Sequence, residues 1–295
     1  MSILLATSAD LPQGEPGASA LDAVLAERGI DATWARWDDP GVDWAGADLV
    51  AVRSTWDYVT RHGEFLAWAS SLDQDRLLNG ADVFAWNHDK RYLADLGDLP
   101  AVPTLLADDR KGLAEAVARF GTAVVKPRVG AGGAGLIVVT DPHDPRLGRP
   151  VKSHPDYPEV DGPWVVQPLV ESIRTHGEVS VYVLDGRLTQ RFDKQPGADD
   201  VRVNEEFGGR VRTAEMGDVG ALVMRAHDAM TERFGRPMDY LRVDLLQWDG
   251  DWVVSELELI EPGLYLDVSS ANAGPYADLL AARLRGRRGG AGTTV

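Results

Sequence analysis

Hydrophobic positions fall into alternating strand-like and helix-like runs from residue 2 onward. SILLATSAD, residues 2–10, has the continuous apolar run of a buried strand. PGASALDAVLAERG, residues 16–29, carries helical spacing with Gly29 as its stop. Strand patterns return in IDATWARW (30–37) and ADLVAVRSTWDY (47–58), and HGEFLAWASSL (62–72) predicts an amphipathic helix. This alternation predicts an open α/β lobe. Ligands in such lobes gather at strand ends, which singles out the polar edge Arg53, Ser54, Thr55, Asp57 and Tyr58, with a purely structural cap of the lobe by Arg53, Asp57 and Tyr58 as the alternative.

WNHDKRYLADLGD, residues 86–98, reads as a loop entering a helix, and a further helix is predicted near 111–120. TAVVKPRV (122–129) and AGLIVVTD (134–141) are strands on either side of a glycine-rich turn. Prolines at 142, 145, 150, 155, 158 and 163 leave no room for a regular element between 141 and 163. From 164 the pattern gives strands in WVVQPLV, GEVSVYVLDGRLTQRFDK, DYLRVDLLQW and DWVVSELELI, with one strongly periodic helix over 219–235. The arginine-rich end from Arg285 reads as a frayed tail. The predicted organisation is an N-terminal lobe (1–85), a central lobe (86–163), a C-terminal lobe (164–285) and a flexible tail (286–295).

Composition narrows the chemistry. The 295 residues carry a formal charge of -16, with no basic stripe that could neutralise a nucleic-acid backbone. A small anion needs only a few local cations and is not excluded. Cysteine is absent, which removes disulfides, thiolate catalysis, cysteine zinc sites and iron–sulfur clusters together. No apolar run is long enough to span a membrane, and Met1–Asp10 reads as a strand rather than a signal peptide. The expected compartment is the cytoplasm.

Asp244, Glu256 and Glu258 lie across a tight DGD connection. The apolar pattern puts Leu241, Val243 and Leu245 on one face and Arg242 with Asp244 on the other. A strict two-residue turn would set Asp244 opposite Ser255; an odd loop over 249–251, or a bulge, would set it opposite Glu256. Converging carboxylates repel unless a positive group lies between them, and hard oxygen donors suit magnesium or manganese. A solvated acidic face would share this spacing; Arg242 on the same face favours an anion site. Upstream, Lys126 ends an apolar strand before Gly130, Gly132, Gly133 and Gly135, where backbone N–H groups can approach an anion. No P-loop is present; a hairpin lid over phosphates fits better. Lys90 is a second candidate phosphate contact.

In this order the motifs resemble the ATP-grasp superfamily, in its glutathione-synthetase and D-alanine–D-alanine ligase-like branch. The resemblance spans 86–263 and implies two lobes clamping ATP. It casts Lys90 and Lys126 as phosphate ligands, Gln167, Leu169 and Val170 of VVQPLV as the adenine edge, and Glu178 of GEVS as a nucleotide contact. RVNEEFGG is similar to a glutathione-synthetase element, which puts Arg202 at the transferring phosphate and Asn204 nearby. YLRVDLL and SELELIEPG match the ligase pattern, with Arg242 on an acyl phosphate and Asp244, Glu256 and Glu258 as ligands of a pair of Mg2+ ions, Mn2+ being the alternative. Glu258 stands where the family usually has Asn.

The resemblance implies an ATP-dependent carboxylate–amine ligase acting through an acyl phosphate on an amino acid or similar small metabolite. A cyclo-ligase of the cycloserine-forming type and a catalytically silent nucleotide binder are the alternatives. Arg53 and Asp57 are the minimum pair for an amino acid's carboxylate and ammonium. Ser180 replaces an arginine of glutathione synthetases, which argues against glutathione formation. Arg174, His176, Arg191, Lys194 and Glu261 are further candidates for the acceptor side. Nucleic-acid and membrane partners are not expected; many relatives are homodimers.

Overall fold

A computed structural model describes residues 2–152 and 159–290. β1 (Ser2–Thr7), β2 (Asp31–Arg36) and β3 (Leu49–Ser54) form a parallel sheet in the order β2-β1-β3. α1 (Ser19–Glu27) makes the crossover between β1 and β2, and α2 (His62–Ser71) comes after β3. The chain then passes through α3 (Ala81–Asn87) and a single helical turn, Lys90–Ala94. The order over 86–98 is thus the reverse of the predicted loop and helix: Asp89 accepts from the Arg91 N–H at 2.9 Å and starts only a short turn.

β4 (Leu105–Ala107), β5 (Ala123–Pro127), β6 (Ile137–Val139) and β7 (Trp164–Pro168) make an antiparallel sheet ordered β4-β7-β5-β6. It packs on α4 (Arg110–Phe120), which Asp109 caps through a 2.7 Å bond from the Gly112 N–H. β7 corrects the predicted lobe boundary. Trp164–Pro168 is hydrogen-bonded between β4 and β5, so it belongs with the central strands rather than with the C-terminal ones. Residues 153–158 of the proline-rich stretch lie outside the described residues.

The third sheet holds β8 (Glu178–Leu184), β9 (Arg187–Gln195), β10 (Arg210–Ala214), β11 (Tyr240–Trp248) and β12 (Asp251–Glu258) in the order β10-β9-β8-β11-β12. α5 (Gly220–Phe234) covers one face and ends at left-handed Gly235. α6 (Ala273–Gly290) closes the fold, continuing past Arg285, where the sequence predicts fraying; residues 291–295 lie outside the described residues. α6 is held by packing. Tyr276, Ala277, Leu280 and Leu284 bury against Leu21 and Leu25 of α1 and Ile3 and Leu5 of β1.

The first and third sheets share a core: Val52, Phe65 and Val83 join the same cluster as Val181, Val223, Leu241 and Leu257. The second sheet has its own, around Leu113, Val117, Val125 and Val166. Side-chain amides bind the connecting segment to the third sheet. Buried Asn79 donates to the Tyr240 and Leu259 carbonyls at 2.9 and 2.8 Å and accepts from the Asp239 N–H at 2.8 Å. It holds φ 60, which asparagine tolerates better than most residues. Asn87 brackets β12 in the same manner, donating to the Leu257 carbonyl at 2.8 Å and accepting from the Leu259 N–H at 2.9 Å. Farther on, Val102 N–H donates to the Val254 carbonyl at 3.0 Å and Val254 N–H to that of Pro100 at 2.8 Å.

Replacing Asn79 by Ala strands these buried backbone groups and destabilises the protein by about 2–4 kcal/mol. A lowered urea midpoint at unchanged m-value is the expected outcome.

Candidate active site

β11 and β12 are joined by a two-residue turn, Asp249–Gly250, with φ 51 and 93, and Trp248 pairs with Asp251. Continued without interruption, that register would pair Asp244 with Ser255. The ladder shifts between Asp244 and Leu245, so Leu245 pairs with Val254 and Asp244 with Glu256. Ser255 is the extra residue of a bulge. The bulge lets Val254 join Leu245 in the core while Glu256 and Glu258 share the opposite face with Asp244 and Arg242. Of the sequence alternatives, the bulge rather than the three-residue loop is what forms.

That face collects charge from four strands. Ser180 Oγ donates to Asp244 Oδ1 at 2.5 Å, and Arg242 grips both Asp244 oxygens at 2.9 Å through Nε and Nη2. The same guanidinium pairs with Glu258. Lys194 on β9 pairs with Glu178 at 2.5 Å and Asp244 at 3.4 Å. Lys90 reaches Glu256 from the segment that Asn87 pins to β12. Lys126 projects from β5 near the same carboxylates and has no ion pair among the described residues. Arg191, one position out of phase with Phe192 and Lys194, turns away to Asp193 and the Met216 carbonyl. Arg174 pairs with Glu171 on the exposed turn after β7, and His176 bonds Thr175 there, so neither joins the charged face.

Burial and pairing set the charge states. Burial opposes ionisation of Asp244, yet Arg242 and Lys194 hold its carboxyl well below the usual range. Lys90 and Lys126 likewise outweigh burial at Glu256. Burial, with the charges of Asp244, Glu256 and Glu261, pushes Glu258 up to about 8 against the pull of Arg242. Burial, aided by Lys90, pushes the Lys126 ammonium down, while Glu256 offsets part of the shift. Asp244, Glu256 and Glu258 are hard oxygen donors of the type magnesium takes. Among the described residues no three acidic or histidine side chains are grouped for an ion. Each of these carboxylates is held by a protein cation instead, so an ion fits only if Lys90 and Arg242 move to another anion.

The glycine turn lies between β5 and β6, with Gly132, Gly133 and Gly135 at φ 60, 72 and 73; Gly130 opens it. A Cβ on Gly133 would lie 3.1 Å from Arg202 Cδ and 3.2 Å from Asn204 Oδ1, so the turn rests directly on the 202–204 segment. Arg202 stacks on Phe207 and pairs with Asp200 at 2.5 Å. Gln167 is occupied by Thr104, to which its amide donates at 2.8 Å, and Leu169 N–H donates to the Thr122 carbonyl. Val170 packs with Val102 and Val253, beside Leu246 and Trp248. This apolar patch continues the charged face toward the hairpin turn. The sequence names Val170 for this edge but misses Val102 and Val253, although the apolar residues alternating beyond Asp244 signal the patch.

The first lobe approaches from the other side. Arg53, Ser54 and Thr55 are fully buried rather than facing a cleft. Arg53 pairs with Glu15 and donates to the Pro262 carbonyl at 2.9 Å, and Ser54 Oγ shares a 2.7 Å bond with Thr7. Asp57 accepts from Trp37 Nε1 at 3.0 Å. The predicted Arg53–Asp57 pair for an amino acid is therefore not formed: Arg53 is committed to the protein interior. Tyr58 does lie beside the charged face: burial, with the nearby charge of Glu261, pushes its hydroxyl well up. Trp56 Nε1 donates to the Glu261 carbonyl at 3.1 Å.

Two families match the chain. Residues 3–79 match the N-terminal domain of D-cycloserine synthetase DcsG, and residues 89–230 match the ATP-grasp domain of prokaryotic glutathione synthetase. The cycloserine biosynthesis protein DcsG of Streptomyces lavendulae is 32% identical over 275 residues, covering 87% of this chain and 90% of that protein. A glutathione synthetase of Rhodopseudomonas palustris is 30% identical over 130 residues, 43% of this chain and 39% of its own. The crystal structure of D-cycloserine synthetase DcsG superposes with a TM-score of 0.79 at 29% identity, covering 96% of this chain and all of that one (100%). D-alanine–D-alanine ligase from Bacillus anthracis shares the fold at a TM-score of 0.65 and 14% identity, over 98% and 99% of the two chains.

Burial pushes the Glu261 carboxyl up from 4.5 to about 7. A carboxyl raised in the folded state stabilises it below the unfolded value, and that contribution is lost as pH rises through about 7. The ligand-free protein should lose stability between pH 5 and 8.5. Glu261→Gln should flatten that fall, gaining up to about 3 kcal/mol over wild type at pH 8.5 in urea titrations.

Proposed function

The chain belongs to the ATP-grasp ligases, in the branch that includes D-cycloserine synthetase and the glutathione synthetases, and from that premise we propose that it closes a ring on an amino-acid-derived substrate. It is an ATP-dependent ligase that forms C–N bonds from small-molecule carboxylates and amines, and its family uses ATP with Mg2+. The likeness to DcsG along the first lobe carries the finer reading. The second and third sheets, which carry Lys126, the glycine turn and the carboxylates, are read as the ATP side, and the first lobe as the side that meets the molecule being joined. No described helix is long and apolar enough to cross a membrane.

Lys90, Lys126 and the N–H groups of the glycine turn hold the phosphate oxygens, and the patch around Val102, Val170 and Val253 seats the adenine. Asp244, Glu256 and Glu258 would hold magnesium, one or two ions, which would supply screening of the phosphate charge. On ATP binding Lys90 leaves Glu256 for phosphate, so the buried charges exchange partners without any being left bare. A substrate carboxylate oxygen then attacks the γ-phosphorus, the bond to the β-phosphate oxygen breaks, and ADP departs. Arg242 and Arg202 stabilise the acyl phosphate oxygens. A nitrogen of the same molecule attacks the acyl carbon, loses a proton and displaces phosphate. The Gly130–Gly135 turn over Arg202 and Asn204 keeps water from the intermediate.

With Mg-ATP and the right compound, the protein should release ADP and phosphate in equal amounts. A product lighter than its single required substrate by one water marks ring closure; a requirement for two compounds would replace that reading with intermolecular ligation. Glu256→Gln should lower turnover by at least ~100-fold, and EDTA should abolish it. Unchanged turnover in Glu256→Gln would remove Glu256 from the site.

A further inference from the structure

Tyr265 stands in a backbone conformation that its side chain disfavours. Among the described residues, the non-glycine positions with positive φ are Asn79, Asp185, Asp249 and Tyr265. Asparagine and aspartate tolerate that region, whereas an aromatic residue at φ 51 is strained. Such strain persists only where the surroundings impose it, and they do so on both sides of Tyr265. Leu264 and Leu266 are buried in one core cluster. Glu15 accepts from the Leu264 N–H at 2.5 Å, and Asn272 donates to the Leu264 carbonyl at 2.8 Å. The Tyr265 carbonyl accepts from the N–H groups of Val268 and Ser269 at 3.1 and 2.9 Å.

This strained backbone sets the direction of the ring. The two leucines enter the core, and the half-buried Tyr265 ring turns onto the charged face. Its centroid lies 5.7 Å from Arg242 Cζ, 6.0 Å from Lys194 Nζ and 5.0 Å from the centre of the Phe192 ring. One ring is thus within cation–π range of two buried cations, both of which also pair with Asp244. A ring face attracts these cations yet offers magnesium no oxygen, so it stays with them when the carboxylates are drawn away.

We propose that Tyr265 is a positioning residue for Arg242: its ring is the partner that the guanidinium keeps while its carboxylates turn to a metal ion. The proposal rests on the ligase reading above, which assigns Asp244, Glu256 and Glu258 to magnesium. Arg242 has Asp244 and Glu258 as its ion pairs. Once both turn to a metal, the Tyr265 ring alone remains of these partners. Lys194 is less affected, because Glu178 is not drawn off. A guanidinium released from both carboxylates would otherwise swing toward water. The ring holds it over the face where the acyl phosphate forms.

The test needs no substrate. The Arg242 Nε–H signal is identified by magnetic resonance in protein with isotope-labelled arginine, through its loss in Arg242→Lys. Its exchange with water is then measured without nucleotide and with saturating Mg-ADP. In wild type the exchange should stay slow in both states, and Tyr265→Phe, which keeps the ring, should match it. Tyr265→Leu removes the ring, and Tyr265→Asn is a second ring-free variant suited to φ 51. Both should match wild type without nucleotide, because Asp244 still grips the guanidinium. With Mg-ADP they should exchange about 2- to 30-fold faster, the range of one cation–π contact, while the Kd for Mg-ADP changes less than about twofold. Equal protection in the ring-free variants with Mg-ADP would overturn the proposal and leave the ligase standing. Fast exchange in those variants already without nucleotide would assign Tyr265 to packing, against the proposal. Lost protection in Tyr265→Phe would assign the effect to the hydroxyl, also against it. If wild type binds no Mg-ADP by calorimetry, the nucleotide reading of the charged face falls, and the proposal with it.

Discussion

Arg242 grips Asp244 and Glu258 together, and the rest of the charged face depends on that double pairing. Taking several carboxylates out of water on one sheet is tolerable only if each keeps a cation close by. Lys194 serves Glu178 and Asp244, and Lys90 serves Glu256. These pairs are weak evidence of stability, since apolar residues would pack there more favourably. They make sense as an arrangement that can exchange partners. Phosphate can draw off the lysines and a metal can take the carboxylates, with the total charge staying near balance.

Such an exchange demands that the cations arrive from different directions. Lys194 and Arg242 come from the sheet itself, whereas Lys126 comes from β5 and Lys90 from the segment between the sheets. The position of Lys90 is set by hydrogen bonds along the edge of β12, where Asn87 and Tyr92 occupy the Leu257 and Leu259 backbone groups. Covering that edge also protects a strand that would otherwise present unpaired groups. One device thus serves both fold and chemistry. The first lobe does the same on the opposite side, where Arg53 is used to hold the Glu261 loop rather than to meet a substrate.

Much of this is legible in the sequence where a pattern has a short range. Alternation in YLRVDLL and SELELIE assigns a common face to Asp244, Glu256 and Glu258, and apolar parity demands either an odd loop or a bulge. The order of lysines, glycine turn, arginine and acidic strand points to the ATP-grasp family. Where the sequence misleads, the missing information is a distant partner. Trp164–Pro168 looks like any buried strand, and only its pairing with β4 and β5 assigns it to the second sheet. α6 has glycine and arginine through its sequence, and its stability comes from burying Tyr276, Leu280 and Leu284 on α1 and β1.

The sequence by itself determined the strand faces, the absence of thiol chemistry, the glycine turn and the family, because each comes from local spacing or residue type. Tertiary structure alone decided which charges neutralise which. Arg53 and Lys194 have similar local surroundings in the sequence, strand residues beside polar neighbours. One is drawn inward by Glu15 and the Pro262 carbonyl, and the other is turned by the parity of β9 onto the charged face. A buried charge takes its role from the partner that long-range folding brings to it, and the chain around it carries no record of that partner.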